Sequence, residues 1–177
     1  MIRIYILCIF LIVLLKYTNA QQDNFYKLPS EEILELADYQ SPPRAFPSKD
    51  GKRIVYLYNE TYLALQDISQ EKVRLANVTF DPIRYIRSPI VYIDNIRFQN
   101  INESSIESIN GLPADPKIAN LKWSPDEEKI AFTNTTNEGV ELWIIDLETR
   151  NAEKISEPII NACLQNPYVW FADSNSL

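Results

Sequence analysis

Apolar and polar residues alternate in short runs through the second half of this 177-residue chain, and turn-forming residues separate the runs. A period of two with many β-branched side chains indicates β-strands rather than helices. After Lys117 the pattern predicts four strands, at 118–123, 129–134, 140–147 and 152–155. It predicts turns between them, at 124–128, 135–139 and 148–151.

The first half shows the same signals more weakly. Ser30 is a candidate helix cap with Glu31 and Glu32 in the first turn, and Pro42-Pro43 ends this short helix. From residue 46 onward a turn at Asp50-Gly51 accompanies four strand candidates, at 54–58, 61–65, 73–80 and 89–93. Residues 99–110 are rich in Asn, Ser and Glu and predict a loop.

The predicted strand at 140–147 is apolar on both faces. Alternate positions form two sets, with Val140, Leu142 and Ile144 on one face and Trp143, Ile145 and Leu147 on the other. Such a strand must be covered on both sides. The stacked four-stranded blades of a β-propeller provide this cover, and so does the core of a β-sandwich.

A sequence repeat favours the propeller. Trp123-Ser124-Pro125-Asp126 recurs 47 residues later as Trp170-Phe171-Ala172-Asp173, and propeller repeats are about 40–50 residues long. A looser copy, 46–51, begins 77 residues before Trp123. The predicted fold is all-β, a partial β-propeller of about two four-stranded blades plus the start of another, after a short N-terminal helix. Because a propeller has about 4–8 blades, we expect a chain that stops at Leu177 to be the N-terminal part of a longer protein.

Residues 1–20 have the layout of a secretory signal peptide, with Arg3 before an apolar run and small residues before a cleavage site after Ala20. The run, 4–15, has 12 residues, whereas a membrane-spanning helix needs about 20, so a cleaved signal is favoured over a stable membrane anchor. The predicted organisation is a signal peptide at 1–20, a leader with a short helix at 21–45 and an incomplete β-propeller domain at 46–177. The protein is expected to be secreted or periplasmic.

The formal net charge is −7, and it becomes −9 when the signal peptide with Arg3 and Lys16 is removed. An acidic exported protein repels phosphate backbones, which argues against a nucleic-acid partner. Cys163 is the only cysteine outside the signal peptide. It therefore has no partner for an intramolecular disulfide, and we interpret it as a small buried residue.

The composition excludes most catalytic sites. There is no histidine, so Ser-His-Asp and Cys-His catalysis and histidine-ligated zinc are excluded within this chain. The three glycines, Gly51, Gly111 and Gly139, are too far apart for a phosphate-binding loop or a nucleophile elbow. No catalytic, cofactor-binding or metal-binding residue is predicted, and the chain as it stands is expected to be inactive.

Carboxylates and tryptophans are the remaining candidates, and structural roles are favoured for both. Asp126 is expected to accept hydrogen bonds from backbone amides of its turn, while Glu127 and Glu128 are expected to face solvent. Neither this cluster nor Glu31-Glu32 has the spacing of a calcium loop. Trp123, Trp143 and Trp170 could form a sugar-stacking platform, but Trp123 and Trp170 recur at repeat spacing and Trp143 lies in an apolar strand.

An ordered series of motifs resembles the N-terminal propeller of glutamyl endopeptidase-like serine peptidases of the prolyl oligopeptidase family. The matching segments are Leu36-Ala37-Asp38, Pro42-Pro43, Val73-Arg74-Leu75-Ala76, Gly111-Leu112-Pro113-Ala114, Lys117-Ile118, Trp123-Ser124-Pro125-Asp126, Lys129 to Asn134 and Glu141-Leu142-Trp143. The similarity covers about residues 26–80 and 111–177. Two departures are Glu127-Glu128, where that turn usually has Gly, and residues 81–110.

The resemblance implies a propeller of about seven blades followed by an α/β-hydrolase domain that supplies the Ser, Asp and His. The propeller would cover the active site and restrict which peptides or proteins enter as substrates. No triad position has a counterpart in this chain. The alternative is a non-catalytic exported module whose β-repeats bind a partner.

Overall fold

The computed structural model describes residues 28–37, 39–88, 90–164 and 166–177. The predicted signal peptide and its cleavage site lie outside these residues. The chain forms two compact units, Met1–Tyr39 and Gln40–Leu177.

The first unit contains helix α1 (Glu31–Ala37). The helix begins directly after Ser30, as the sequence predicts. The Ser30 carbonyl accepts hydrogen bonds from the N–H groups of Ile33 and Leu34, both at 3.0 Å. Glu31 and Glu32 lie in the first turn, where negative charge favours a helix.

The second unit is built from strands and one single-turn helix. Its helix is α2 (Leu65–Ile68). Its strands are β1 (Arg44–Pro47), β2 (Arg53–Asn59), β3 (Val73–Leu75), β4 (Val78–Asp81), β5 (Ile86–Arg87), β6 (Ile93–Asn100), β7 (Glu107–Ser108), β8 (Ile118–Trp123), β9 (Lys129–Thr135), β10 (Val140–Asp146) and β11 (Asn151–Lys154).

Strands β8 to β11 form an antiparallel meander in which each strand pairs with the next. Their bounds agree with the predicted strands to within one residue. The register sets Trp123 opposite Ile130 and Val140 opposite Thr135, so the connecting turns are tight. The prediction for this half of the unit is confirmed.

Strands β1, β2, β6 and β7 form the other half of the same sheet, again antiparallel. β1 begins at Arg44, two residues before the predicted strand region, because Arg44 pairs with Leu57. A single pair, Ile93 with Ile118, joins β6 to β8 and so connects the two halves. Each half is thus a four-stranded antiparallel unit.

In the segment between β2 and β6 the structure differs from two predictions. The strand expected at 61–65 is wrong, because residues 65–68 form α2, where the Ser69 N–H bonds to the Leu65 carbonyl at 2.9 Å. The run at 73–80 is a hairpin rather than one strand, since Ala76 adopts a positive φ of 51° between β3 and β4. β5 completes a separate three-stranded sheet.

Two further expectations change near β6. The strand expected at 89–93 starts only at Ile93 and then continues to Asn100, through residues that were partly expected to be a loop. β6 pairs along its whole length with β2, and its buried residues are Ile93, Ile96 and Phe98. The predicted loop at 99–110 also contains the short strand β7.

The two halves share one hydrophobic core. It takes Val55 and Ile96 from the first half and Ile130, Phe132 and Ile145 from the second, and all five are at most 1% exposed. One face of each half therefore packs into a common interior.

A second cluster covers the other face of β9 and β10. It contains Ala131, Leu142 and Tyr168, with Ile144 and Trp170 packed against it. The prediction that β10 is covered on both faces is confirmed. The Tyr168 and Trp170 side chains that provide this cover come from the segment that follows β11.

The described part of the chain is mostly β, with antiparallel sheets, as predicted. Whether the four-stranded units belong to a propeller stays a prediction. Neither α1 nor α2, the helices of the described residues, could span a lipid bilayer.

Candidate functional site

Turn 2 (124–129), which joins β8 to β9, contains the acidic cluster singled out by the sequence. The Ser124 hydroxyl donates to Asp126 Oδ1 at 2.5 Å and accepts a hydrogen bond from the Lys129 N–H at 3.0 Å. Asp126 Oδ1 also accepts from the Glu128 N–H at 3.1 Å, as predicted. Burial raises the pKa of Asp126, but the hydrogen bonds from Ser124 and the Glu128 amide outweigh it and hold that pKa below its usual range.

Turn 1 (48–53), between β1 and β2, repeats this network. The Ser48 hydroxyl donates to Asp50 Oδ1 at 2.6 Å and accepts from the Arg53 N–H at 3.1 Å, and the Lys52 N–H donates to Asp50 Oδ1 at 3.0 Å. Hydrogen bonds from the Ser48 hydroxyl and the Lys52 amide lower the pKa of Asp50 to about 2. Gly51 has a φ of 70°, which suits glycine.

Turn 3 (171–176) has the same backbone form. The Phe171 N–H bonds to the Ser176 carbonyl at 3.0 Å, just as the first and last residues bond in turns 1 and 2. Asp173 Oδ1 accepts from the N–H groups of Asn175 and Ser176. Phe171 supplies no hydroxyl, and the second of these bonds satisfies the Ser176 amide instead.

The three turns define the repeat more sharply than the sequence does. The spacing from turn 2 to turn 3 is 47 residues, as predicted from Trp123 and Trp170. Ser48 corresponds to Ser124 at a spacing of 76. The predicted spacing of 77 is therefore one residue too long, because turn 1 places Pro47 rather than Phe46 at the tryptophan position.

Glu127 does not face solvent as expected; it is 7% exposed. Its carboxylate accepts hydrogen bonds from two amides of turn 1, the Lys49 N–H at 2.5 Å and the Asp50 N–H at 3.0 Å. The Arg53 guanidinium donates to the Glu127 carbonyl at 2.8 Å. Glu128 is exposed, as predicted. The acidic cluster therefore holds turn 1 and turn 2 together.

Turn 3 contacts turn 2 in the same manner. The Asp126 N–H donates to Ser174 Oγ at 3.0 Å, and the Lys129 ammonium donates to Asn175 Oδ1 at 2.9 Å. Ser174 is 4% exposed. Sequence patterns do not show these contacts, since the bonded residues are 48 and 46 positions apart in the chain.

The three tryptophans pack within the fold and do not form a shared sugar-stacking platform. The Trp123 ring stacks on Phe46 of β1 with centroids 5.7 Å apart. The Trp170 indole N–H donates to the Lys122 carbonyl at 3.2 Å.

Trp143 stacks on Phe132 within the sheet, and its indole N–H donates to Glu141 Oε2 at 2.9 Å. The rings of Trp123 and Trp143 pack against the shared core, as expected for structural residues.

A buried charged cluster that the sequence did not predict lies beside the insertion between β2 and β6. Asp67 of α2 accepts from the Arg84 guanidinium at 2.9 Å and from the Lys117 ammonium at 3.0 Å. Arg84 also pairs with Asp81 at 2.7 Å, and its side chain is 6% exposed. Burial raises the pKa of Asp67, but hydrogen bonds from Arg84 and Lys117 outweigh it and keep that pKa below its usual range. The cluster attaches the insertion to the chain before β8.

The described residues contain no group of three or more His, Cys, Asp or Glu side chains that could hold a metal ion. A cleft of about 720 Å³ is lined mostly by apolar side chains, including Phe46, Val91 and Ile118, with Arg44 as its one charged lining residue. Cys163 is half-buried rather than buried, and burial raises the pKa of its thiol, which disfavours the reactive thiolate.

No family model matches the chain. It is 27% identical over 169 residues to a protein named "Probable glutamyl endopeptidase, chloroplastic" of Oryza sativa subsp. japonica. It is 25% identical over 163 residues to a protein of the same name from Arabidopsis thaliana. Each alignment covers 86% of this chain but only 18% and 17% of the two relatives, respectively. The chain is thus similar, over most of its length, to less than a fifth of two proteins named as peptidases.

Proposed function

We propose that this chain belongs to the N-terminal β-propeller of an exported serine peptidase of the prolyl oligopeptidase family. In this proposal the propeller is non-catalytic and covers the active site, where it restricts the access of peptide and protein substrates. The observation that supports it most is that the same turn structure occurs three times, as turns 1, 2 and 3, in a chain similar to proteins named as glutamyl endopeptidases.

The sheet organisation is consistent with propeller blades. Each half of the sheet has four antiparallel strands, strands β6 and β8 at the junction pair at Ile93 and Ile118, and one hydrophobic core lies between the halves. Turns 1 and 2 each join the first and second strands of their unit. Turn 3 would then open a third blade, with Tyr168 and Trp170 on its first strand.

Catalysis would reside outside this chain. A serine peptidase of this type needs a histidine as general base, and the sequence has none. Two blades cannot close a ring that takes about 4–8. The proposal therefore requires further blades and an α/β-hydrolase domain in the complete protein.

The test is to express the complete open reading frame that encodes this chain, beside the 177-residue chain alone. We expect the complete protein to react with a fluorophosphonate serine probe and to cleave peptides, and the short chain to do neither. The peptidase proposal would be refuted if the reading frame contained no further repeats and no Gly-x-Ser-x-Gly segment. Such a reading frame would favour the stand-alone binding module.

Export is proposed from the N-terminal pattern alone. Cleavage after Ala20 would give a mature protein that starts at Gln21. N-terminal sequencing of the protein recovered from its native cells tests this. A retained Met1, with the protein in the cytoplasm, would contradict export but would leave the peptidase assignment open to the first test.

A further inference from the structure

We propose that the fourth residue of turns 2 and 3, Glu127 and Ser174, is a docking position that joins its turn to the turn of the preceding four-stranded unit. By the same geometry, turn 3 presents an amide to a further unit of the same protein. The identity of that unit rests on the proposed function, whereas the two contacts inside this chain do not.

The two contacts involve equivalent atoms. Asp50 and Asp126 occupy the third position of turns 1 and 2, and Glu127 and Ser174 occupy the fourth position of turns 2 and 3. The Asp50 N–H donates to Glu127 Oε2, and the Asp126 N–H donates to Ser174 Oγ, both at 3.0 Å. A contact made by chance would not recur between the same two positions of consecutive repeats.

A second bond accompanies the first in each case. The last residue of turn 1, Arg53, donates to the Glu127 carbonyl, and the last residue of turn 2, Lys129, donates to the Asn175 side chain. A basic side chain thus reaches the next turn at the same position of both repeats. In each docking interaction, the backbone N–H of the third turn residue and the basic side chain of the sixth donate hydrogen bonds to oxygen atoms of the next turn.

The backbone conformation supports a specific role for these side chains. Glu127 and Ser174 have φ values of 63° and 56°, in the left-handed region that is unfavourable for residues with a Cβ. Gly51 holds the same position of turn 1 at 70° without this strain. Because glycine fits the position best, a carboxylate or hydroxyl there is explained by what its side chain binds.

The same turn positions indicate which partner would accept a hydrogen bond from the Asp173 amide of turn 3. Asp173 is equivalent to Asp50 and Asp126, and among the described residues its N–H contacts only its own carboxylate and donates to no other residue. A second copy of this chain cannot accept it through turn 1, since Gly51 has no side chain. The occupant is therefore a further four-stranded unit of the complete protein, with a carboxylate, hydroxyl or amide side chain at its fourth turn position.

The contacts inside the chain are tested with Glu127→Gly and Ser174→Gly. If these residues acted only in their own turns, glycine would relieve strain and raise the melting temperature. We expect both substitutions to lower it, because the docking acceptor is lost, and Glu127→Gln to lower it less. The matched control is Ala76→Gly, at an exposed residue with a φ of 51°, which we expect to leave the melting temperature unchanged or to raise it. A rise for Glu127→Gly and Ser174→Gly comparable to the control would overturn the proposal.

The role of the Asp173 amide is tested by hydrogen exchange. In the 177-residue chain we expect the Asp126 N–H to exchange at least about tenfold more slowly than the Asp173 N–H. In the complete protein the Asp173 N–H should become protected to a similar degree. Further repeats with Asp173 still unprotected would refute the docking inference alone. A reading frame without further repeats would refute the proposed function, while the glycine substitutions would still decide the two internal contacts.

Discussion

The hydroxyl of Ser124 serves a donor and an acceptor within one turn. It accepts from the Lys129 N–H and donates to Asp126, and Ser124 is 2% exposed. Removing it leaves the partly buried Lys129 amide without this partner, and an unsatisfied polar group away from water is more costly than the net value of one hydrogen bond.

We therefore expect Ser124→Ala to lower the free energy of unfolding by about 1–3 kcal/mol. Ser104→Ala, at an exposed serine in a polar loop, is the control and should change it by less than about 0.5 kcal/mol. Urea denaturation measures both. Equal effects of the two substitutions would contradict the role assigned to the Ser124 hydroxyl.

Asp67 faces one buried cation, Arg84, and one partly buried cation, Lys117, so its removal should be costly. Asp67→Asn leaves the Arg84 guanidinium with Asp81 as its remaining carboxylate partner and leaves Lys117 without an anion. Breaking a buried ion pair in this way costs about 3–5 kcal/mol. Chemical denaturation at neutral pH tests this, and a loss below about 1 kcal/mol would show that the cluster contributes little.

The same carboxylate predicts the direction of the acid response. The pKa of Asp67 is lower in the folded state than in the unfolded state, so its contribution is present above the unfolded pKa and disappears as pH falls through the folded pKa. Below about pH 4 the native chain should lose stability more steeply than the variant carrying Asp67→Asn. Denaturation midpoints measured from about pH 3 to pH 7 would contradict this if the two proteins responded in parallel.

At the scale of elements, local alternation predicted strands well where apolar residues were regularly spaced. β8 to β11 follow the pattern within one residue because alternate residues of β8, β9 and β10 lie in one of the cores and tight polar turns separate the four strands. β6 was mostly missed, since Asp94 and Asn95 interrupt its apolar pattern. Its pairing with β2, far away in sequence, determines the strand.

Tertiary contacts also explain the wrong strand at 61–65. The run contains β-branched and aromatic residues, but α2 begins at its last residue, Leu65, and Asp67 of that helix pairs with Arg84 and Lys117, which are distant in sequence. The candidate site was predicted only in part. Sequence spacing located turns 2 and 3, but Glu127 docks on amides of turn 1, and backbone amides leave no sequence signal.

β10 makes a clear prediction at this scale, since it is covered on both faces. Leu142 and Ile145 lie in different cores and are 7% and 0% exposed. Leu142→Ala and Ile145→Ala should each cost about 2–5 kcal/mol, whereas Ile159→Ala, at a residue 80% exposed, should have little effect. A near-neutral Leu142→Ala in urea denaturation would mean that one face of β10 is open to solvent.

On the scale of the whole molecule, the shared core predicts that the two halves unfold together. All three tryptophans, Trp123, Trp143 and Trp170, follow residue 117 and so report on the second half and the segment after it. Leu57 belongs to β2 in the first half and is 1% exposed.

Leu57→Ala should therefore shift the tryptophan fluorescence midpoint and the far-UV circular dichroism midpoint equally, with a loss of about 2–5 kcal/mol. Tyr85, which is 54% exposed outside the main sheet, offers a control in Tyr85→Phe, expected to shift neither midpoint. A fluorescence midpoint unaffected by Leu57→Ala would mean that the halves fold as separate units.

The central claim is that these four-stranded units are consecutive blades of a larger propeller. An experimental structure of the protein from the complete reading frame tests it most directly. The account predicts that the unit formed by β8 to β11 follows the first unit by a rotation about a central axis, and that turn 3 opens a third blade placed by the same rotation. A two-layer sandwich closed within residues 40–177, with unrelated structure after turn 3, would contradict it.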